Sequence, residues 1–221
     1  MTRFLYVVRH GATGADHGAL SEAGRQQARL TGQRLRDVPF SGIWHGPLPR
    51  AAQTARLIAA SLPGVPLTES DLAGDYLPSA PDPAALPPSW AGFIGRFSAT
   101  ERAEGSARAA DALERFACPE PDGCELLVTH NFLAGWLVSQ AVNGPSWRWL
   151  GLNQANCAVT IIAYRPASSP RARHIPRARP IRVGGSLTTH LCGRWAPDPI
   201  PARPRNPSPP TGAPGPLSPG R

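Results

Sequence analysis

The sequence predicts an α/β fold, a three-layer sandwich in which helices cover both faces of a mostly parallel sheet. Short apolar runs that are typical of strands alternate with longer segments of helical periodicity up to about residue 165. The first apolar run, Phe4–Val8, ends in a polar turn, as a buried central strand does. Residues 166–221 hold 14 of the 27 prolines and show little apolar periodicity, which predicts a disordered C-terminal tail.

The first half of the chain predicts three strands and two helices. Ser21 can cap a helix that runs to about Arg36, and Pro49 suits the first turn of a helix that runs to about Ser61. The predicted strands are Phe4–Val8, Gly42–His45 and Val65–Thr68.

The second half predicts two further strands and their helices. Residues 70–105 are irregular and rich in proline, with a short helix expected around Trp90–Phe97. The elements expected after them are a helix over Ser106–Ala117, a strand over Glu125–Thr129, a helix over Phe132–Val142 and a strand over Ala158–Tyr164.

Charge and composition divide the chain into a domain, residues 1–165, and a tail, residues 166–221. The formal net charge of +8 resides in the tail, which holds nine arginines and the single acid Asp198. The chain has no lysine, which is consistent with G+C-rich codons and weakens the argument for a nucleic-acid partner. A shifted reading frame in such DNA would also encode a tail of this kind, and the sequence leaves that alternative open.

Cysteine usage and hydropathy point to a reduced compartment. Cys118, Cys124, Cys157 and Cys192 form no Cys-x-x-Cys pair, so we expect reduced thiols. The N-terminal apolar run is too short for a signal peptide, and no segment reaches the roughly 20 apolar residues of a membrane span. We therefore expect a cytoplasmic protein without a membrane partner.

Arg9-His10-Gly11 follows the first strand directly and is the strongest functional signal. Open α/β sheets bind ligands beyond the carboxyl ends of their strands. Histidine can act as a nucleophile there, and arginine binds phosphate through a planar fork of donors. Gly11 lacks a Cβ and would let a bulky anion approach the backbone.

Two more segments place cations or histidine at the same predicted edge. Arg50 follows the second strand at a helix N-terminus, where the guanidinium and the helix dipole both favour an anion. His130 follows the strand Glu125–Thr129. His10 and His130 could instead bind a metal, but no convergent carboxylate or cysteine motif accompanies them, so we expect no metal.

These segments resemble branch I of the histidine phosphatase superfamily, whose members are phosphoglycerate mutase-like. The resemblance covers residues 3 to about 164 and rests on four ordered motifs: Val8–Thr13, Leu20–Gly24, Pro47–Ala55 and Val128–His130. It implies a phosphohistidine mechanism without metal or cofactor. In that mechanism His10 is the nucleophile, and Arg9, Arg50 and His130 form the phosphate pocket.

The resemblance also calls for a carboxylic acid after the third strand, and three residues compete for that role. The acid would protonate the leaving oxygen and then take a proton from the attacking water. Asp75 in Asp75-Tyr76-Leu77-Pro78 is the first choice, before Asp71 and Glu69. Two departures from the family pattern leave substrate orientation open: His45-Gly46 replaces a serine pair, and the loop after Thr13 lacks an asparagine.

Other polar and aromatic residues carry two interpretations each. His17 and His45 either flank the pocket or are ordinary structural histidines. Trp147, Trp149, Asn153 and Asn156 precede the last strand. They either form core and a loop or line the mouth of the substrate site.

The predicted function is hydrolysis of a small phosphorylated metabolite, the only partner expected. A cofactor-dependent phosphoglycerate mutase is the alternative, but the segment before His130 has few cations (Arg96, Arg102, Arg108 and Arg115). A catalytically weak phosphate- or nucleic-acid-binding protein is the third possibility, and no aromatic residues interleave the basic tail to stack bases. The sequence predicts no oligomeric state and no particular substrate.

Overall fold

A computed structural model of the chain describes residues 2–79, 81, 84, 86–119 and 121–165, and the backbone of Arg179–Pro180. The strands are β1 (Arg3–Arg9), β2 (Phe40–His45), β3 (Leu67–Glu69), β4 (Gly123–Thr129), β5 (Val159–Tyr164) and β6 (Arg179–Pro180). The helices are α1 (Glu22–Leu35), α2 (Pro49–Ala59), α3 (Pro88–Ile94), α4 (Ala99–Phe116) and α5 (Asn131–Ala141).

The strands form one sheet in the order β3-β2-β4-β1-β5-β6. β1 and β2 each pair parallel with β4, and β3 pairs parallel with β2. β5 runs antiparallel to β1, because the chain returns along the sheet after α5. The predicted α/β fold with a mostly parallel sheet is therefore confirmed, with β1 and β4 at its centre.

Apolar side chains bury both faces of the sheet and give the three predicted layers. One face packs Val8, Ile43 and Val128 against α1 and α2. The other packs Val7 and Leu127 against α4 and α5. Alternate residues of β1 thus point to opposite helical layers, as the two-residue period of a strand requires.

A third apolar cluster lies beside the sheet and includes residues of α3. It holds Leu77, Phe93, Ile94 and Trp149, with Phe132 of α5 packed against it. The irregular segment between β3 and α4 is thus anchored to the helix that begins immediately after His130.

Helix α4 begins at Ala99, so the prediction that it begins at Ser106 was wrong. Ser98 accepts a hydrogen bond from the backbone N–H of Glu101 at 3.1 Å, and the Glu101 carboxylate accepts one from the backbone N–H of Ser98 at 2.9 Å. This capping box satisfies N–H groups of the first turn and starts the helix two turns earlier. The Ser-x-x-Glu signal is present in the sequence.

Two of the tail residues take part in the sheet. The backbone of Arg179–Pro180 pairs antiparallel with Ile162 and Ala163 of β5. The prediction of disorder for the remainder of residues 166–221 lies outside the described residues. Within the described part, Cys118, Cys124 and Cys157 are free thiols, and no helix is both long and apolar enough to cross a membrane.

The start of α1 packs directly onto the loop that follows β1. The Ser21 hydroxyl donates to the carbonyl of Ala12 at 3.1 Å and accepts from the N–H of Gly24 at 3.1 Å. A Cβ on Gly24 would lie 1.9 Å from the Ala12 oxygen, and one on Gly11 would lie 2.7 Å from the Gly24 oxygen. Both glycines are therefore required for this close approach, which fixes the backbone around His10.

Candidate active site

The carboxyl ends of β1, β2 and β4 bring the predicted site residues together. His10 follows β1, and its N–H donates to the Thr129 carbonyl at 2.9 Å. His130 follows β4, and the rings of His10 and His130 lie with their centroids 5.1 Å apart. Since β1 and β4 are parallel neighbours, the two histidines emerge side by side at one edge of the sheet.

Hydrogen bonding sets the tautomer of His10. Its Nδ1 atom lies 2.8 Å from the carbonyl oxygen of Gly11. A carbonyl only accepts, so Nδ1 carries the proton and Nε2 keeps its lone pair. His10 is 9% exposed. Burial lowers the pKa of His10 to about 4; the Gly11 carbonyl opposes this, and the nearby His130, Arg50 and Arg9 reinforce it. His10 is therefore neutral at pH 7.

His130 is 1% exposed and neutral for similar reasons. Burial, followed by the positive charges of Arg50 and Arg9, lowers the pKa of His130 to about 3. Within the described residues, neither of its ring nitrogens has a hydrogen-bond partner. Buried polar atoms are rarely left without partners in proteins, so these nitrogens indicate a site that a polar ligand completes.

Arg50 stands in the first turn of α2 and points at the same place. Nη2 donates to Oδ2 of Asp75 at 2.8 Å, and Nη1 donates to the backbone carbonyl of His17 at 3.1 Å. The guanidinium has five N–H donors, so these two bonds orient the group and leave donors for an anion. The N-terminus of α2 adds its partial positive charge.

Arg9 is held from the opposite side by the segment before β5. Its Nη1 atom donates to Oδ1 of Asn153 at 3.0 Å and also to the carbonyl of Gln154. Asn156 supports the adjacent backbone, because its Nδ2 atom donates to the His10 carbonyl at 2.9 Å. Two arginines thus approach the histidine pair from different elements.

Of the three candidate acids, Asp75 lies at this site. Its Oδ2 atom is 3.6 Å from Nδ1 of His130, in addition to its contact with Arg50. Asp71 starts a 3₁₀ turn and Glu69 ends β3, and both are exposed. Neither of their side chains makes a hydrogen bond or ion pair with another described residue. The geometry therefore favours Asp75, while its role as the acid stays a prediction.

The structure separates the residues that carried two interpretations. Trp149 is 1% exposed and belongs to the apolar cluster around α3. Asn153 instead contacts Arg9. His45 is buried with Nδ1 2.9 Å from the Gly46 carbonyl, whereas His17 is exposed and contributes its carbonyl to Arg50.

Thr54 links two site residues and was assigned no role from the sequence. It is fully buried, accepts a hydrogen bond from the N–H of Gly11 at 3.0 Å and donates one to the Arg50 carbonyl at 2.7 Å. The four-residue spacing from Arg50, which places Thr54 one turn further along α2, was the available signal. The N–H of Gly11 is thus already bonded, and a phosphate contact of Gly11 stays a prediction.

No group of three or more histidine, cysteine, aspartate or glutamate side chains gathers as a metal site within the described ranges. Chemistry without a metal remains a prediction. The positive charge that a phosphate would need is supplied here by Arg9, Arg50 and the N-terminus of α2.

Part of the chain that forms the pocket matches a known family. The family model of the histidine phosphatase superfamily (branch 1) matches residues 5–74, which include Arg9, His10, Arg50 and the end of β3. Over these residues the chain is similar to this superfamily. The mitochondrial serine/threonine-protein phosphatase PGAM5 of Mus musculus is 30% identical in an alignment of 177 residues that covers 75% of this chain and 59% of the relative. The chain thus spans about six-tenths of the length of that curated relative.

Solved structures confirm the phosphoglycerate mutase-like fold. A mycobacterial glucosyl-3-phosphoglycerate phosphatase superposes with a TM-score of 0.60 at 20% identity, covering 81% of this chain and 97% of its own. A phosphoglycerate mutase from Plasmodium falciparum superposes with a TM-score of 0.55 at 18% identity, covering 88% of this chain and 99% of its own. At these identities the similarity concerns the fold alone.

Proposed function

We propose that this protein hydrolyses phosphate monoesters through a phosphohistidine at Nε2 of His10, without a metal. The observation that carries the proposal is a pair of buried, neutral histidines between two arginines at the carboxyl edge of the sheet. A neutral imidazole is the nucleophilic form. The flanking guanidinium groups supply donors where the phosphoryl oxygens concentrate negative charge.

In the first step, Nε2 of His10 attacks phosphorus and the bond from phosphorus to the ester oxygen breaks. The leaving oxygen takes a proton from Asp75, whose Oδ2 atom lies beside Arg50 and His130. The phosphorylated ring becomes positively charged. The Gly11 carbonyl, 2.8 Å from Nδ1, stabilises that charge by accepting the N–H.

In the second step, water attacks phosphorus and the bond from phosphorus to Nε2 breaks. Asp75, now ionised, takes the proton of the water and returns to its starting state. The side chain of Asp75 is 32% exposed, so water reaches it. A mutase must instead keep water away from its phosphohistidine, and this exposure favours the hydrolase over the mutase.

Two substrate classes are in competition for this site. The sequence favours a small phosphorylated metabolite, whereas the name of the curated relative brings phosphoserine and phosphothreonine of proteins into consideration. Among the described residues, Arg50 and Arg9 are the arginines whose charges act on both histidines, and two guanidinium groups suit one phosphate group. We propose a substrate with one phosphate group. A cytoplasmic location stays a prediction, since the curated relative is named as mitochondrial.

A substrate panel in the presence of EDTA tests the proposal. It should contain p-nitrophenyl phosphate, small sugar and nucleoside monophosphates, phosphoserine and phosphothreonine peptides, and 3-phosphoglycerate. Phosphate release is expected from one ester class, and interconversion of phosphoglycerates is not. Activity that disappears in EDTA and returns with one divalent metal would contradict the metal-free mechanism.

Trapping the intermediate tests the nucleophile. Wild type quenched in alkali during turnover should carry acid-labile phosphate on His10, and His10→Ala should lose activity by several orders of magnitude. His17→Ala is the matched control, because His17 contributes only its backbone carbonyl to Arg50. Activity of His10→Ala within about tenfold of wild type would exclude the phosphohistidine.

A further inference from the structure

Asn131 directly follows His130 and begins α5. Its side-chain amide forms hydrogen bonds to the segment before β5 through both its oxygen and its nitrogen. Oδ1 accepts a hydrogen bond from the N–H of Gln154 at 2.9 Å, and Nδ2 donates one to the carbonyl of Leu152 at 3.3 Å. The amide therefore fixes the backbone of residues 152–154 relative to the residue after His130.

The same three-residue segment orients Arg9. Its acceptors for the Arg9 guanidinium are Oδ1 of Asn153, at 3.0 Å, and the carbonyl of Gln154. Gln154 thus accepts from Arg9 through its carbonyl and donates to Asn131 through its N–H. A continuous path of hydrogen bonds joins Asn131 to Arg9 through Gln154.

We infer that Asn131 is a positioning residue that sets the Arg9 guanidinium at the correct place relative to His130. This inference rests on the proposed function, in which Arg9 and His130 bind the same phosphoryl group. A reacting geometry displaced by about 1 Å can cost roughly 100-fold in rate. The link from Asn131 through Gln154 prevents such a displacement between the two parts of the pocket.

The chemistry of the link requires an amide. Aspartate at position 131 would keep the acceptor for the N–H of Gln154 but would place a second acceptor against the carbonyl of Leu152. Two oxygens at that distance repel, so Asn131→Asp should release one end of the segment. Asn131→Ala removes both bonds and should have an effect at least as large.

A double-mutant cycle with Arg9 separates positioning from a general structural role. The four proteins are wild type, Asn131→Ala, Arg9→Ala and the double variant. The readouts are kcat/KM for p-nitrophenyl phosphate and the calorimetric Kd of inorganic phosphate. Asn131→Ala is expected to lower kcat/KM about 10- to 100-fold and to weaken phosphate binding. In the Arg9→Ala background the same change should lower kcat/KM less than about threefold, because the arginine that Asn131 positions is already absent.

Gln140→Ala is the matched control. Gln140 lies near the other end of α5 and its side chain makes no hydrogen bond with a described residue. Both readouts should be unchanged in that variant. If Asn131→Ala does not fold, Asn131→Asp replaces it in the cycle.

The possible results separate the inference from the function on which it rests. The positioning role would be overturned if Asn131→Ala lowered kcat/KM equally in both backgrounds, or less than about threefold in the wild-type background. Either result would leave the proposed phosphatase activity intact. A wild type that hydrolyses no phosphate ester would end the proposed function. The phosphate Kd values would then still decide whether Asn131 acts through Arg9.

Discussion

Nη2 of Arg50 donates a hydrogen bond to Oδ2 of Asp75 over 2.8 Å, which joins the proposed phosphate ligand of α2 to the proposed acid after β3. The two side chains are 17% and 32% exposed, so this hydrogen bond adds little stability. Its consequence is geometric. It places one carboxylate oxygen beside the histidine pair, 3.6 Å from Nδ1 of His130.

The first prediction concerns the acid. Asp75→Asn should lower turnover of an alkyl phosphate far more than turnover of p-nitrophenyl phosphate, because nitrophenolate leaves without a proton and an alkoxide does not. General-acid assistance contributes about 10²- to 10⁴-fold, which sets the expected size of the difference for the phosphorylation step. Some loss on both substrates is expected if attack of water limits turnover. Steady-state kcat of wild type and Asp75→Asn on the two substrates measures this difference.

The matched controls for this prediction are Asp71→Asn and Glu69→Gln. Both side chains are exposed and make no ion pair with a described residue. Any loss of turnover in these two variants should therefore be the same for both substrates. Mild and equal losses for Asp75→Asn, with a large differential loss at Asp71 or Glu69, would transfer the role of the acid to that residue.

A second prediction tests the fork of Arg50. Arg50→Ala should be severely impaired, and Arg50→Lys should be rescued only in part. Lysine keeps the charge but cannot bind Asp75 and a phosphoryl oxygen with one planar group. We expect kcat/KM of the lysine variant to lie between those of alanine and wild type. A fully active Arg50→Lys would show that only net charge matters at this position.

A third prediction follows from the lowered pKa values of the two histidines. His10 and His130 have folded pKa values of about 4 and about 3, against 6.5 in an exposed chain. Between those values the unfolded chain binds more protons, so the free energy of unfolding rises with pH. Stability is full above about pH 6.5 and decreases as the pH falls, by at most about 1.4 kcal/mol per pH unit for each histidine.

Denaturant unfolding at pH 7 and pH 5 measures this effect. The free energy of unfolding should change less between pH 7 and pH 5 in His130→Asn than in wild type, because that variant has no titrating group at the buried position. His17→Asn, at an exposed position, should keep the wild-type difference. An unchanged difference in His130→Asn would show that burial of this histidine does not govern the acid sensitivity.

A fourth prediction concerns Gly24 of α1. Alanine normally favours a helix over glycine by about 1 kcal/mol. At Gly24, however, a Cβ would lie 1.9 Å from the Ala12 oxygen, so Gly24→Ala should destabilise the fold by about 1–3 kcal/mol. It should also reduce activity by moving the loop that carries His10. Gly92→Ala in α3 is the control, because a Cβ there meets no atom within 4 Å and the change should be neutral or stabilising.

Local sequence patterns were sufficient for the elements that carry the chemistry. An apolar run followed by a polar residue predicted where β1 and β4 end, and so placed His10 and His130 at one edge of a parallel sheet. Pro49 predicted the start of α2 and the place of Arg50. These predictions succeed because burial of a strand and the start of a helix depend on residues adjacent in the chain.

The sequence by itself therefore determined the fold class, and it predicted the similarity to the histidine phosphatases and the nucleophilic role of His10. Only the tertiary structure decided which acid meets Arg50, because three carboxylates within seven residues compete and the path of the loop selects Asp75. Only it showed that Gly24 serves a contact with Ala12, or that Asn131 reaches Arg9 through Gln154. Such contacts join residues that are distant along the chain, and the packing of β1, β4 and β5 brings them within hydrogen-bond distance.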